Sequence, residues 1–207
     1  MPPKRTSAAA DVRFPVSPSG GGDVLEVRFH GRGGMGAVVA SQLLAQAAFL
    51  EGRWAQSFPF FGVERRGAPV TAFARIAAKP VEARTNVYEP DLVVVLDASL
   101  LKGRAYLDGL RPGGTVVANA AGASIPWEST YAVDATTIAL EEGLGSRSVP
   151  IVNTAMVGAL AAADVVRLDS VLAAIDALVP SKRDANKRAA ERAFHAVRRL
   201  AAPEVRA

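Results

Sequence analysis

The stretch LEVRFHGRGGMGAVVASQLLAQAAFLEG, running from Leu25 to Gly52, decides the fold. Val27 and Phe29 lie in an extended apolar segment, and from Ala37 onward Val38, Leu43, Leu44, Ala47 and Ala48 recur at helical spacing. Between them Gly31, Gly33 and Gly36 form a Gly-x-Gly-x-x-Gly pattern, with a further glycine at Gly34. A strand, a glycine loop and a helix follow in order. Such a loop brings a helix close to a strand and lets a ligand touch backbone. The unpaired amides of the first helical turn, with the positive end of the helix dipole, favour an anion there. Arg32 inside the loop adds a cation, so a phosphate-bearing ligand is the first functional reading and plain helix-on-sheet packing the second.

The rest of the chain extends this start into an α/β sheet. After the helix, RWAQSFPFF reads as a second strand entering a loop, and the polar, glycine-flanked cluster GVERRGAP spans Gly62 to Pro69. VTAFARI alternates with period two, as a half-exposed strand does. Leu92 to Leu96 is a continuous apolar run of the kind buried on both faces of a parallel sheet, closed by Asp97. LRPGGTVVANAAG gives another buried strand ending at Asn119, and STYAVDATTIALEEG gives a short strand and a helix from Ala135. From Val152 the pattern is helical: one helix through Ala163, one from Asp169 to Val179 capped by Asp169 and Ser170, and one from Arg183 to Leu200. The fold class expected is α/β: a Rossmann-like, mostly parallel sheet flanked by helices, with a helical C-terminal part. Ligands of such sheets bind beyond the carboxyl ends of the strands, where Gly31, Asp97 and Asn119 are expected to meet.

Composition narrows the chemistry. The chain has 207 residues, half of them hydrophobic, enough for one buried core behind a disordered tail from Met1 to Asp23. It contains no cysteine, which excludes disulfides, iron–sulfur ligation and thiol catalysis within this chain. His30 and His195 lack metal-ligand spacing, so no metal site is expected. The net charge of +4 comes from scattered Lys and Arg without RNA-binding aromatic motifs, and no nucleic-acid partner is expected. The longest apolar run, AMVGALAAADVV, is short of a membrane span and meets Asp164. A cytoplasmic protein is therefore expected. A NAD-binding fold needs an acidic residue at the end of the second strand, and the sequence has none there. Instead Arg65 and Arg66 follow, suited to bidentate phosphate binding or to a subunit contact.

Four blocks in order, GRGGMGAVVAS, AQSFPFFGVERRGAPV, YEPDLVVVLDASLL and PIVNTAMVGALA, closely resemble the gamma subunit of the 2-oxoacid:acceptor oxidoreductases, the pyruvate:ferredoxin oxidoreductase family. The resemblance spans Val24 to about Leu200, within a gamma domain of residues 24–207. It implies a subunit of an enzyme that decarboxylates a 2-oxoacid on thiamine diphosphate, passes the acyl group to coenzyme A, and sends electrons through iron–sulfur clusters to ferredoxin or a similar acceptor. It also implies that thiamine diphosphate and the clusters sit on partners, the alpha and beta subunits and a ferredoxin-like subunit. On this chain it points to Gly31, Arg32, Gly33, Gly34, Met35, Gly36, Arg65, Arg66 and Asn153 for coenzyme A binding, with no catalytic residue. Asn153 opens a helix, where it either caps that helix or reaches a ligand. Two positions depart from the family pattern: Met35 stands where glutamine is common, and Val63 where proline is usual. The departures leave open an aromatic 2-oxoacid substrate. A free-standing NAD(P)-dependent dehydrogenase and a purely structural assembly module are the competing readings.

Overall fold

A computed structural model describes residues 23–60, 68–122 and 125–200. Arg65, Arg66 and Val63 lie outside the described residues, as does nearly all of the segment read as a tail. One seven-stranded sheet organises the rest, in the order β2-β3-β1-β4-β5-β6-β7. The strands are β1 (Val24–Arg32), β2 (Trp54–Pro59), β3 (Pro69–Ala77), β4 (Leu92–Val95), β5 (Thr115–Asn119), β6 (Thr130–Val133) and β7 (Arg198–Leu200). The run β1, β4, β5 and β6 is parallel throughout, whereas β3 is antiparallel to both β1 and β2. It follows that five strands point one way and only β3 and β7 oppose them. The α/β class with a mostly parallel sheet is what the sequence indicates. The inversion of β3 has a simple cause: a parallel crossover needs about a dozen residues or more, and the segment joining β2 to β3 is shorter.

Five helices were found among the described residues: α1 (Ala37–Leu50), α2 (Ala135–Glu141), α3 (Asn153–Ala162), α4 (Leu168–Leu178) and α5 (Arg183–Ala196). Their buried apolar residues join one core on one face of the sheet, with Val27 and Phe29 of β1, Ala72 and Ala74 of β3, Val94 of β4 and Val117 of β5. The opposite face is covered differently. There Val93, Val95, Val116 and Ala118 pack against Tyr106, Leu110 and two short 3-10 turns at Ala98–Lys102 and Ala105–Leu107.

Three local expectations are corrected. β3 is not half-exposed: Ala72 to Ala77 are all buried, because Phe73 and Arg75 on its second face are covered as well as the alanines on the first. Asp169 and Ser170 do not cap α4. The helix begins at Leu168, Asp169 sits in its first turn, and Ser170 is buried. The last helix stops at Ala196 instead of Leu200, and the chain then extends into β7 beside β6. A three-residue Arg-Arg-Leu strand has no periodicity of its own; the exposed edge of β6 creates it.

On the second face, β1 and β3 carry an ionic network. Arg75, 2% exposed, reaches Glu26 at 2.7 Å, donates to the Ala83 and Asn86 carbonyls, and lies over the Phe58 ring. Glu26 also pairs with Arg111, which pairs in turn with fully buried Asp91 at 3.0 Å. Asp91 accepts from the Glu26 amide as well. Further along β1, Arg28 donates its Nε to His30 Nε2 at 2.9 Å and its terminal nitrogens to the carbonyls of Tyr88, Tyr106 and Asp108.

Candidate functional site

β1 runs on through Gly31 and Arg32, so the turn itself is only Arg32 to Met35, closed by the Met35 amide donating to the Arg32 carbonyl at 3.1 Å. Gly31 serves packing. A Cβ there would stand 3.2 Å from the Ala37 Cβ and 3.6 Å from that of Leu96, so its absence lets α1 settle against β1 and β4. Gly36 is the residue preceding α1 and has φ +84°, a left-handed conformation that glycine adopts without penalty. No acidic residue occupies the first turn of α1, so nothing on that helix competes with an incoming anion.

The candidates inside the loop divide into used and unused groups. Arg32 is not a free loop cation. Its Nε lies 2.7 Å from Asp97 Oδ2 and 3.1 Å from Ser99 Oγ, while Asp97 also accepts from the Ser99 amide. The Gly33 amide donates to the Ala68 carbonyl at 3.0 Å. Met35 is turned inward and is part of the helix-side core, where a thioether fills an irregular gap well. The amides of Gly34 and Gly36, by contrast, have no hydrogen-bond partner among the described residues.

The three positions expected to meet at the strand ends do so. Gly31 lies against Leu96, Asp97 holds Arg32, and Asn119 reaches the Leu96 carbonyl at 2.8 Å. Asn119 is wholly spent on structure: its amide also donates to Thr136 Oγ1, and its oxygen accepts from the Thr136 amide, so it pins the start of α2 to β4.

Asn153 comes from 117 residues further along the chain than Gly36 and sits directly over it, since a Cβ on Gly36 would be 2.8 Å from Asn153 Nδ2. Its Oδ1 accepts from the Thr154 amide at 2.8 Å. The two roles left open for Asn153 are therefore compatible: the oxygen serves its own helix and the amide faces the loop. Sequence reasoning missed a further neighbour, the tight turn from Gly145 to Pro150, whose Val149 methyl stands 3.0 Å from where a Gly34 Cβ would be. A cluster of glycine, serines and proline immediately before the NTAM block was the available signal.

His30 lies on the second face of β1, beside Arg28 and away from α1. Burial pushes its pKa down to about 4, with the Arg28 guanidinium adding to the effect. Because Nε2 accepts from Arg28, the imidazole is the neutral tautomer protonated at Nδ1. Among the described residues no cluster of His, Asp and Glu could hold a metal ion, and no helix is long and apolar enough to cross a membrane.

The family model for pyruvate ferredoxin/flavodoxin oxidoreductase matches residues 26–196. The chain belongs to this family. Within the pyruvate ferredoxin/flavodoxin oxidoreductase family it is similar to the pyruvate/ketoisovalerate oxidoreductases common subunit gamma of Pyrococcus furiosus, 50% identical over 181 residues, covering 83% of this chain and 96% of the relative. A crystal structure of the pyruvate oxidoreductase subunit PORC from Thermotoga maritima superposes with a TM-score of 0.72 at 37% identity, covering 86% of this chain and 98% of that one. A 2-oxoglutarate:ferredoxin oxidoreductase from Magnetococcus marinus, solved with 2-oxoglutarate, coenzyme A and succinyl-CoA, contains the same fold at TM-score 0.67 and 18% identity; the match covers 84% of this chain and 31% of that longer one. The chain is thus an oxidoreductase subunit of the family's gamma type.

Proposed function

We propose that this chain is the gamma subunit of a multisubunit, thiamine diphosphate- and iron–sulfur-dependent 2-oxoacid:acceptor oxidoreductase, to which it contributes coenzyme A binding and subunit contacts. The observation that carries the reading is the match along nearly the whole length of a gamma subunit shared between pyruvate and ketoisovalerate enzymes. A subunit common to two substrates leaves substrate choice to its partners, and the same division of labour is assigned here. Without cysteine this chain cannot ligate an iron–sulfur cluster through thiolates, so the clusters belong to a ferredoxin-like partner and thiamine diphosphate to the alpha and beta subunits. When bound there, thiamine diphosphate supplies the decarboxylation chemistry.

Coenzyme A fits the donor set that the loop leaves unspent. The Gly34 and Gly36 amides and the Asn153 carboxamide can meet phosphate oxygens at the positive end of α1, and Arg65 and Arg66 are assigned to the same ligand. The Magnetococcus enzyme that shares the fold was solved with coenzyme A, which is consistent with this choice. A nicotinamide dinucleotide fits less well. In the dinucleotide fold the second strand lies beside the first and ends in an acid, whereas antiparallel β3 separates β1 from β2 here. The enzyme is placed in the cytoplasm.

Purification of a tagged chain from its host tests the reading. Thiamine- and cluster-bearing subunits are expected to accompany it, with coenzyme A-dependent oxidation of a 2-oxoacid. A lone chain that reduces NAD would overturn the proposal, and a complex whose Arg65→Ala variant keeps its Michaelis constant for coenzyme A would remove Arg65 from the site.

A further inference from the structure

We infer that α1 and the edge strand β2 form a docking face for a second copy of this chain, in which the two β2 strands pair antiparallel about a twofold axis at Gln56 and join the two sheets into one. The pairing is independent of the coenzyme A reading above.

The composition of this surface sets it apart. α1 has 14 residues and not one charge among them. Helix α5 has the same length, carries Arg183, Asp184, Lys187, Arg188, Glu191 and Arg192, and shows what a solvated helix of this chain looks like. A helix that is uncharged and apolar all round is expected to be covered all round, yet Val39, Phe49 and Leu50 lie on the outside of α1, Phe49 at 53% exposure. β2 is uncharged as well and opens with exposed Trp54. From Ala37 to Phe60 the only charges are Glu51 and Arg53, which lie 2.6 Å apart and are spent on each other and on the connection between α3 and α4. Near a twofold axis every charge faces its own kind, so a face without charge meets its copy with no repulsion.

The strand edge supplies the register. β2 ends the sheet and pairs only with β3 among the described residues. The Phe60 amide donates to the Thr71 carbonyl of β3, so the backbone groups of Trp54, Gln56 and Phe58 also point into β3, and those of Ala55 and Ser57 point outward. Pro59 is the next outward position and has no N–H, which ends the outer ladder there. A twofold at Gln56 sets Ala55 opposite Ser57 of the second copy, where the two exchange both hydrogen bonds, and sets Gln56 opposite Gln56 in a pair without them. It also brings Trp54 opposite Phe58 of the second copy, an aromatic pair on the face that carries Phe73 and Arg75. Because α1 packs on β2 and β3, the two copies of α1 flank the axis on the other face, with their uncharged outer sides toward each other.

Analytical ultracentrifugation of the full chain tests this. A mass twice the 21.6 kDa of one chain is expected. Ser57→Pro, which removes an outward N–H, should leave single chains, and Phe49→Lys, which sets like charges across the axis, should weaken association about tenfold or more. The register has its own probe, because the chain contains no cysteine. Gln56→Cys is expected to form a disulfide between copies on mild oxidation, since residues opposed in a pair without hydrogen bonds have Cα atoms about 4.5 Å apart, within disulfide range. Ser57→Cys is expected to form none, because its copy lies diagonally out of reach. A single-chain mass in the parent, or a dimer that survives both Ser57→Pro and Phe49→Lys, overturns the face. Should Ser57→Pro fail to fold, the cysteine variants decide: no bridge through Gln56→Cys, or one through Ser57→Cys, overturns the pairing. If the parent is single and Phe49→Lys instead stops other subunits from accompanying the tagged chain, the face belongs to a partner subunit and the second copy is overturned.

Discussion

β1 has polar groups at two places, and they are handled in opposite ways. Around Glu26, Arg75, Arg111 and Asp91 every charge meets an opposite charge or a carbonyl, and Arg75 and Asp91 are almost wholly buried. At the far end of the same strand, the Gly34 and Gly36 amides and the Asn153 carboxamide face one another with donors unspent. A satisfied polar cluster can only be broken, and breaking it costs stability; an unsatisfied one has capacity left for a ligand. Substitutions should therefore separate the two regions by what they damage.

The largest expected effect is at the satisfied end. Arg75→Met removes one partner of a buried network and should cost about 3–5 kcal/mol of unfolding free energy, measured by denaturant titration. The Michaelis constant for coenzyme A of the surviving complex should not change. A variant that remains as stable as the parent would show that the network is not held by its charges.

His30 belongs to the satisfied region and gives a pH signature. Its native pKa of about 4 lies below the ordinary value of 6.5, so as pH falls from 6.5 toward 4 the unfolded chain takes up a proton that the native state refuses. Stability from this residue is whole above pH 6.5 and is lost across that window, up to about 3 kcal/mol at its foot. The check is the difference between parent and His30→Asn in unfolding free energy from pH 7 to pH 4. That difference should shrink on acidification.

Gly36→Ala crosses the boundary between the regions. Its left-handed φ costs a side chain about 1–2 kcal/mol, and the new Cβ would displace the Asn153 amide. Thermal melting should show that modest loss together with abolished anion binding. Retained binding in the variant would dissociate Asn153 from the site. The smallest effect belongs to Arg32→Ala. Its pair with Asp97 is partly exposed, such pairs are worth about 0–1 kcal/mol, and the melting temperature should move by no more than a few degrees.

Much of the fold was legible because local patterns are short-range. The order of apolar strand, glycine turn and apolar helix announced β1 and placed the start of α1 at Ala37, although β1 runs two residues into the glycine pattern, and the apolar run at Leu92 announced a strand buried on both sides. β7 was not legible, because three residues carry no period and the strand exists only where β6 offers an edge. The direction of β3 was implicit in a short connection but hidden by its ordinary strand pattern.

The candidate site divides along the same line. The sequence determined by itself that a glycine loop would join strand to helix, that no thiolate chemistry belongs to this chain, and that four ordered blocks place it in its family. Composition and spacing suffice for such conclusions, since torsional freedom and the absence of a residue type need no partner. Only the tertiary structure decided which loop groups are spent: Arg32 on Asp97, the Gly33 amide on Ala68, Met35 in the core. It also decided that Asn153 and the Val149 turn stand against Gly36 and Gly34. Hydrogen-bond satisfaction is a property of groups that meet in space, and these groups are separated by 35 to 117 residues of chain.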